Sequence, residues 1–477
     1  MNRILIEHGT VVTASGTVAA DVLVEDEKIA ALLQEGTGYP SGGEGLDRID
    51  ATGKLVVPGG IDVHTHMEMP FGGSFSSDTF ATGTEAAAWG GTTTIVDFAI
   101  QPRGGSARQG LETWMSRAEG QCAIDYGFHL ILSDVTDEVL KEMQGLVRDG
   151  ITSYKLFMAY PGVFYSDDGQ ILRVMQTAAA CGATVMMHAE NGIAIDVLVR
   201  QALEAGQCDP RMHGETRPSA LEGEATHRAI ILAQVAGCPL YIVHLSAAEA
   251  LAEVVQARDR GQAVSAETCP QYLFLDESLM AEPDFEGAKY VCSPPIRAED
   301  HRRALWQGIQ TGDLSVVATD HCPFCFKGQK ELGRGDFTKI PNGLPVVEHR
   351  MDLIYQGVVS GRITAERWVE LTSTAPARLF GMYPQKGTLL PGADADLVIY
   401  DPSRSHDLGA ATHHMAVDYS VFEGLAITGA VDTVISRGTV LLSNGAYRGR
   451  PNHGRFLPRN RYSGPAIPTG LPNTGRS

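Results

Sequence analysis

Short runs rich in β-branched and aromatic residues recur through the middle of the chain. Each is followed by a longer stretch in which apolar positions return at helical spacing. Eight such runs predict strands at residues 61–66, 92–99, 125–131, 153–158, 184–190, 240–246, 263–270 and 315–321. Helical patterning at 79–89, 135–148, 220–236 and 247–260 falls between them. A strand, a crossover helix and the next strand, repeated, predict an α/β fold whose main domain, residues 59–386, is a parallel (β/α)8 TIM barrel. Residues 1–58 and 387–447 instead alternate apolar and polar positions between Gly- and Asp-rich turns, as antiparallel strands do. Neither piece has enough strands to bury a face alone, so the two chain ends are expected to combine into one small β-sandwich. Residues 448–477 carry Gly, Pro, Asn and Arg without periodicity and read as a tail, either a disordered end or an arm on a neighbouring subunit.

Composition narrows the classes of function. The 477 residues carry 38 basic and 57 acidic side chains, a net charge of −19, which disfavours nucleic-acid and membrane-surface partners. Apolar runs fall far short of the ~20 residues of a spanning helix, so no membrane segment is expected. Eight scattered cysteines without a leader-like N-terminus read as free thiols in a reducing cytoplasm.

Catalytic groups of such barrels gather at the C-terminal ends of the strands, and those ends are rich in metal-ligand types here. Strand 1 ends in His64-Thr65-His66, whose imidazoles at i and i+2 point the same way. His188 and His244 end strands 5 and 6, and Asp320 ends strand 8. Strand 4 contributes Lys155, whose ammonium would be disfavoured by desolvation and by a neighbouring cation. A neutral amine there could take up CO2 to form a carbamate able to bridge two divalent ions. His129, His321, His349, His413 and His414 have no such partners and read as structural. The Cys322-Pro-Phe-Cys325 pair, with no second pair beside it, reads as structural thiols.

His64-Thr65-His66, Lys155 in KLFMAY, His188 in HAEN, His244 in VHLS and Asp320 in ATDHCPF together resemble the cyclic amidohydrolases, in particular the dihydropyrimidinase and D-hydantoinase branch. GGTTTIVDFAIQP, ETCPQYL, SPPIR, PNGLP and PGADADLVIYDP extend the likeness through nearly the whole chain. The resemblance implies a binuclear site, zinc before manganese or cobalt, with His64 and His66 on one ion together with Asp320, His188 and His244 on the other, and carbamylated Lys155 bridging. Two such ions make hydroxide available near neutral pH from the water held between them. Asp320 would then serve as general base and acid. The resemblance also implies that the Tyr160 hydroxyl binds the carbonyl oxygen, and that the backbones at Ser293 and Asn342 hold the imide or ureide edge of a small cyclic substrate. Met69, Phe71 and Phe157 would line the pocket for its exocyclic group.

The implied reaction is hydrolytic opening of 5,6-dihydropyrimidines and 5-monosubstituted hydantoins, D-selectively, to N-carbamoyl amino acids, by a homotetramer or homodimer. Dihydroorotase and allantoinase are the alternatives within the superfamily. Dihydroorotases carry an Arg two residues after the His-x-His, and allantoinases commonly an Asn. Met67 and Glu68 stand here, and a Glu68 carboxylate is expected to repel an anionic substrate. A non-catalytic scaffold relative would have lost ligand residues, and all six are present.

Overall fold

The computed structural model describes residues 2–34 and 45–462. Eight parallel strands follow one another in chain order through a single sheet. They are β1 (Gly60–Thr65), β2 (Thr92–Ile100), β3 (Asp125–Ile131), β4 (Ser153–Phe157), β5 (Thr184–His188), β6 (Leu240–Ile242), β7 (Val264–Thr268) and β8 (Val316–Val317). The sheet returns on itself, because Thr65 bridges His321 in parallel and the His66 amide donates to the His321 carbonyl at 2.8 Å. Helices α1 (Phe80–Trp89), α2 (Ala107–Ala118), α3 (Asp137–Arg148), α4 (Asp168–Cys181), α5 (Ser219–Ala236), α6 (Ala248–Asp259) and α7 (Glu299–Thr311) occupy the crossovers.

Strands buried on both faces still obey a period of two. On β2, Val96 and Phe98 join an inner cluster with Val63, Met186 and Tyr241, whereas Ile95 and Ala99 face the outer layer. On β5, Met186 points in, and Val185 and Met187 point out against the helices. Each site-bearing side chain therefore stands at a fixed angular position around the inner cluster. α1 starts where Thr79 caps it, its side chain accepting from the Thr82 amide.

The patterning overestimates the strands at their C-terminal ends. β6 stops at Ile242 rather than 246, and β8 at Val317 rather than 321. The cause is local: His244 (φ 39°) and Asp320 (φ 52°) adopt left-handed backbone that cannot continue a ladder.

Strands from both chain ends pair into one ten-stranded mixed sheet. Leu55–Pro58 is its seam, parallel to Thr10–Thr13 and antiparallel to Leu397–Asp407. Ile6, Val22, Val56, Leu397 and Ile435 share one core cluster.

The tail reading needs correction as far as Tyr462. Residues 455–462 run across the N-terminal ends of this chain's own strands as a strap. The Tyr126 amide donates to Arg455 O (3.0 Å), Leu457 to Tyr126 O (2.7 Å), Arg459 to Gly150 O (3.1 Å) and Tyr462 to Gly182 O (3.1 Å). Buried Arg459 donates through Nη2 to the Ser153 hydroxyl at 2.9 Å. The strap is pinned by backbone groups, by Arg459 and by two adjacent apolar residues, Phe456 on Tyr126 and Phe128 and Leu457 in the inner cluster, too few to make a periodicity to read. The rest of the expected arm, 463–477, lies outside the described residues. No helix among the described residues is long and apolar enough to cross a membrane.

Candidate active site

His64, at the end of β1, is fully buried, and its ring reaches three other groups through one nitrogen. Nε2 lies 3.2 Å from His66 Nε2, 3.0 Å from Lys155 Nζ and 3.0 Å from Asp320 Oδ1. The opposite nitrogen, Nδ1, contacts the Glu267 carboxylate. A carboxylate only accepts, so Nδ1 carries a proton, and Nε2 is the nitrogen turned into the cluster. His66 Nε2 lies 3.2 Å from the same Asp320 oxygen. On the far side, His188 donates Nε2 to Glu190 at 2.7 Å, which leaves Nδ1. Its ring centroid lies 4.6 Å from that of His244, which in turn is 5.4 Å from His64. Ligand atoms of His64, His244 and Asp320 lie within 4.8 Å of one another, a spacing that could hold a metal ion.

Burial shapes the charges. It lowers Lys155 to about 8, so a reactive neutral amine is accessible near neutral pH. Burial also lowers His66, to about 3. At Asp320 burial opposes the charge, but the charge of His64 and hydrogen bonds from His64 and His66 outweigh it and hold the carboxyl well below its ordinary value. Desolvation raises the Tyr160 phenol, which stays a proton donor beside Ser293 and Asn342. Tyr160 (φ 60°), His244 and Asp320 all have left-handed backbone, a conformation costing roughly 1–3 kcal/mol each for such residues.

The structure brings the expected residues together. His66, Met69, Phe71, Lys155, Phe157, Tyr160, His188, His244, Ser293, Asp320 and Asn342 line one cavity, with His64 beneath it. Phe71 and Phe157 stand edge-on to the Tyr160 ring at 5.5 and 6.0 Å. Phe164, Cys322 and Gly343 also line it and had no expected role. Cys322 is thus part of the wall, and both it and Cys325 are free thiols.

Two carboxylates that hold the site imidazoles, Glu190 on His188 and Glu267 on His64, have no role in the sequence reading. Both stand at strand ends, so the rule that found the ligands could have found them. Glu267 also accepts from the Tyr241 hydroxyl (2.8 Å) and the His244 amide (3.1 Å), tying β1, β6 and β7 together. Asp97 does similar work, accepting from Thr65 Oγ1 and the Met67 amide.

Glu68 stands at the start of α1 and not in the cavity wall, contrary to the expected repulsion of an anionic substrate. Its Oε1 accepts from the Phe80 amide at 3.3 Å. Helix capping, not substrate repulsion, accounts for this carboxylate. The histidines set aside lie elsewhere. His129 bonds Ser153 and Val63 O, His321 bonds Asp78 at 3.0 Å, and the His414 ring stacks on Trp89 at 3.8 Å. His349 is buried near His413, with ring centroids 6.0 Å apart.

Imidazoles, a lysine and an aspartate thus meet at the C-terminal end of a parallel eight-stranded sheet, in a cluster that could hold a metal ion. The amidohydrolase family model matches residues 55–441, and the chain belongs to that family. It is 63% identical over 458 residues to the D-hydantoinase of Streptomyces coelicolor, covering 96% of this chain and 98% of that protein. It is 50% identical over 460 residues to the D-hydantoinase of Geobacillus stearothermophilus, covering 96% and 97%. The crystal structure of dihydropyrimidinase from Brevibacillus agri NCHU1002 superposes with a TM-score of 0.95 at 48% identity, covering 97% of this chain and all of that one.

Proposed function

We propose that this protein opens cyclic ureides and imides by metal-dependent hydrolysis, taking 5,6-dihydropyrimidines and 5-monosubstituted hydantoins to N-carbamoyl amino acids. The observation that carries the reading is the convergence of buried ligand atoms at the cluster, those of His64, His244 and Asp320 lying within 4.8 Å of one another. With Nδ1 of His64 committed to Glu267, Nε2 is turned to His66 Nε2 at 3.2 Å and to the Asp320 carboxylate at 3.0 Å. The His66 Nε2 atom lies 3.2 Å from the same Asp320 oxygen, and His244 is buried with no partner at Nδ1 among the described residues. Such a donor set fits divalent cations.

His64, His66 and Asp320 would hold one ion and His188 and His244 the other, with Lys155 carbamylated between them; zinc suits the ligand set, and manganese or cobalt are the alternatives. When bound, the ions supply hydroxide near neutral pH and polarise the scissile carbonyl. Asp320 accepts the proton of the attacking water. It returns that proton to the ring nitrogen as the C–N bond breaks, so the nitrogen leaves as a neutral amide. Tyr160, kept protonated by burial, donates to the carbonyl oxygen as negative charge gathers there. Ser293 and Asn342 hold the opposite edge of the ring through their backbones. Met69, Phe71 and Phe157 take an apolar exocyclic group, and among the described residues no Lys or Arg lines the cavity beyond Lys155.

A substrate carboxylate would therefore lose its water without gaining a partner, which disfavours dihydroorotate. Preference for the D form follows the names of the relatives. We assign the fold as a (β/α)8 barrel over residues 59–386 and a small sandwich built from 1–58 and 387–447, in a cytoplasmic homotetramer or homodimer. The test is a panel of dihydrouracil, both hands of a 5-substituted hydantoin, allantoin and dihydroorotate. Dihydroorotate or allantoin turned over with kcat/KM at or above that for the neutral hydantoins would replace the substrate assignment with one of the two alternatives.

A further inference from the structure

Lys330 has no exposed surface, and among the described residues it has no carboxylate partner within 4.0 Å. A buried ammonium without an anion costs several kcal/mol unless hydrogen bonds replace its water. Here they do so completely. Nζ donates to the carbonyls of Val291 (2.8 Å), Pro341 (2.7 Å) and Gly343 (2.9 Å), which uses all three of its N–H groups. Burial still lowers the amine, to about 7.

The three carbonyls belong to the two loops that carry the ring-edge residues. Val291 lies two positions before Ser293, and Pro341 and Gly343 flank Asn342. The loops also meet directly, the Gly343 amide donating to Val291 O at 3.1 Å and Asn342 Nδ2 to Ser293 Oγ at 3.1 Å. His213, buried and kept neutral by desolvation, contacts Cys292 O (2.8 Å) and Ser293 Oγ (3.1 Å) from the other side. Gly343 is pressed so closely on the loop after β8 that a Cβ would stand 2.2 Å from Cys322 O. Ser293 and Asn342 line the cavity, whereas Lys330 stays behind them.

Recognition through backbone groups leaves nothing to side-chain choice, so its precision must come from whatever fixes the loops. We propose that Lys330 is a positioning residue: its ammonium ties the Val291–Ser293 and Pro341–Gly343 loops at the spacing that grips the polar edge of the substrate ring. The proposal rests on the ring-opening reading above. Its effect is on binding, because the tripod touches neither the ligand cluster nor Asp320.

The test uses the metal-loaded full chain as Lys330→Met and Lys330→Gln, with unsubstituted hydantoin and a 5-substituted hydantoin as probes. Loss of one such hydrogen-bonded anchor corresponds to about a tenfold rise in KM for Lys330→Met. The rise should be equal for both rings, because both present the same edge, while kcat changes by less than about threefold and metal per chain is unchanged. Lys330→Gln, which keeps two N–H donors, should recover part of the KM. A purely structural role would lower melting temperature and the fraction of active protein, and leave KM alone. KM within about twofold of wild type in Lys330→Gln and in any folded Lys330→Met overturns the proposal. If Lys330→Met does not fold, Lys330→Gln decides. Wild-type protein that opens neither ring would instead defeat the ring-opening reading, so the two failures are distinguishable.

Discussion

At the N-terminal end of the strands, Lys386 sits 2.6 Å from both Asp125 and Asp396 and 3.0 Å from Asp394. Arg437 reaches Asp125 at 3.0 Å, and its amide donates to Asp396 at 2.7 Å. Those three aspartates could by themselves hold a metal, but a lysine fills the space between them. At the other end, Lys155 has no carboxylate to itself, imidazoles face each other, and Tyr160, His244 and Asp320 have left-handed backbone. Both ends are buried and crowded with charge. The floor is satisfied by its own side chains, whereas the mouth gathers ligand atoms that could hold a metal ion. One chain thus keeps the ends of the same strands for different tasks, stability below and chemistry above.

The strongest way to break this contrast is at the mouth. Asp320→Asn should lower kcat by at least ~10²-fold while the melting temperature stays near wild type, since the proton shuttle has no substitute. Turnover near wild type would remove Asp320 from the chemistry. Lys155→Ala should lose metal together with activity, and a small carboxylic acid should restore part of both. Elemental analysis of that variant with its full metal content would contradict the bridging role.

Next in size is Glu267→Gln, which weakens the acceptor that orients His64. Such ligand-orienting partners are worth roughly 10–100-fold in metal affinity, read by competition with a chelator. The floor should respond in the opposite manner. Lys386→Met strands buried carboxylates and should cost about 3–5 kcal/mol in denaturant unfolding. The remaining folded enzyme should keep its kcat and KM.

How much of this was legible followed from where each group stands. His64, His66, His188, His244 and Asp320 were readable because a strand end converts sequence position into direction, and Lys155 because a lysine within an apolar strand is anomalous. Glu267 obeys the same rule and was passed over for want of a ligand role. Lys330 and Lys386 were not readable, because loops bring them to partners 39 and 261 residues away. The strap is not legible because Phe456 and Leu457 alone make no hydrophobic pattern, and Glu68 is not legible because a side chain after the strand end has no fixed direction.

Acidity separates the two ends more gently. Burial works against the charges of Asp125 and Asp394, but Lys386 outweighs it and holds both below their ordinary values. Groups lowered in the fold contribute stability above the unfolded value near 3.9, and that contribution is lost as pH falls toward the folded values. The unfolding midpoint should therefore decline below about pH 4, and less steeply in Lys386→Met, as denaturant titrations across pH would record. The smallest effect concerns Glu68→Gln, expected to cost no more than about 1 kcal/mol through the start of α1 and to leave discrimination against dihydroorotate unchanged. A gain in dihydroorotate turnover would restore Glu68 as a selectivity residue.

The most direct measurement is a titration of chelator-stripped protein with Zn2+ in the presence of bicarbonate, following the opening of a 5-monosubstituted hydantoin and bound metal together. The expected result is an inactive apoprotein that remains folded, with activity rising to a plateau at about two ions per chain. Full activity in protein carrying only traces of metal would contradict the account.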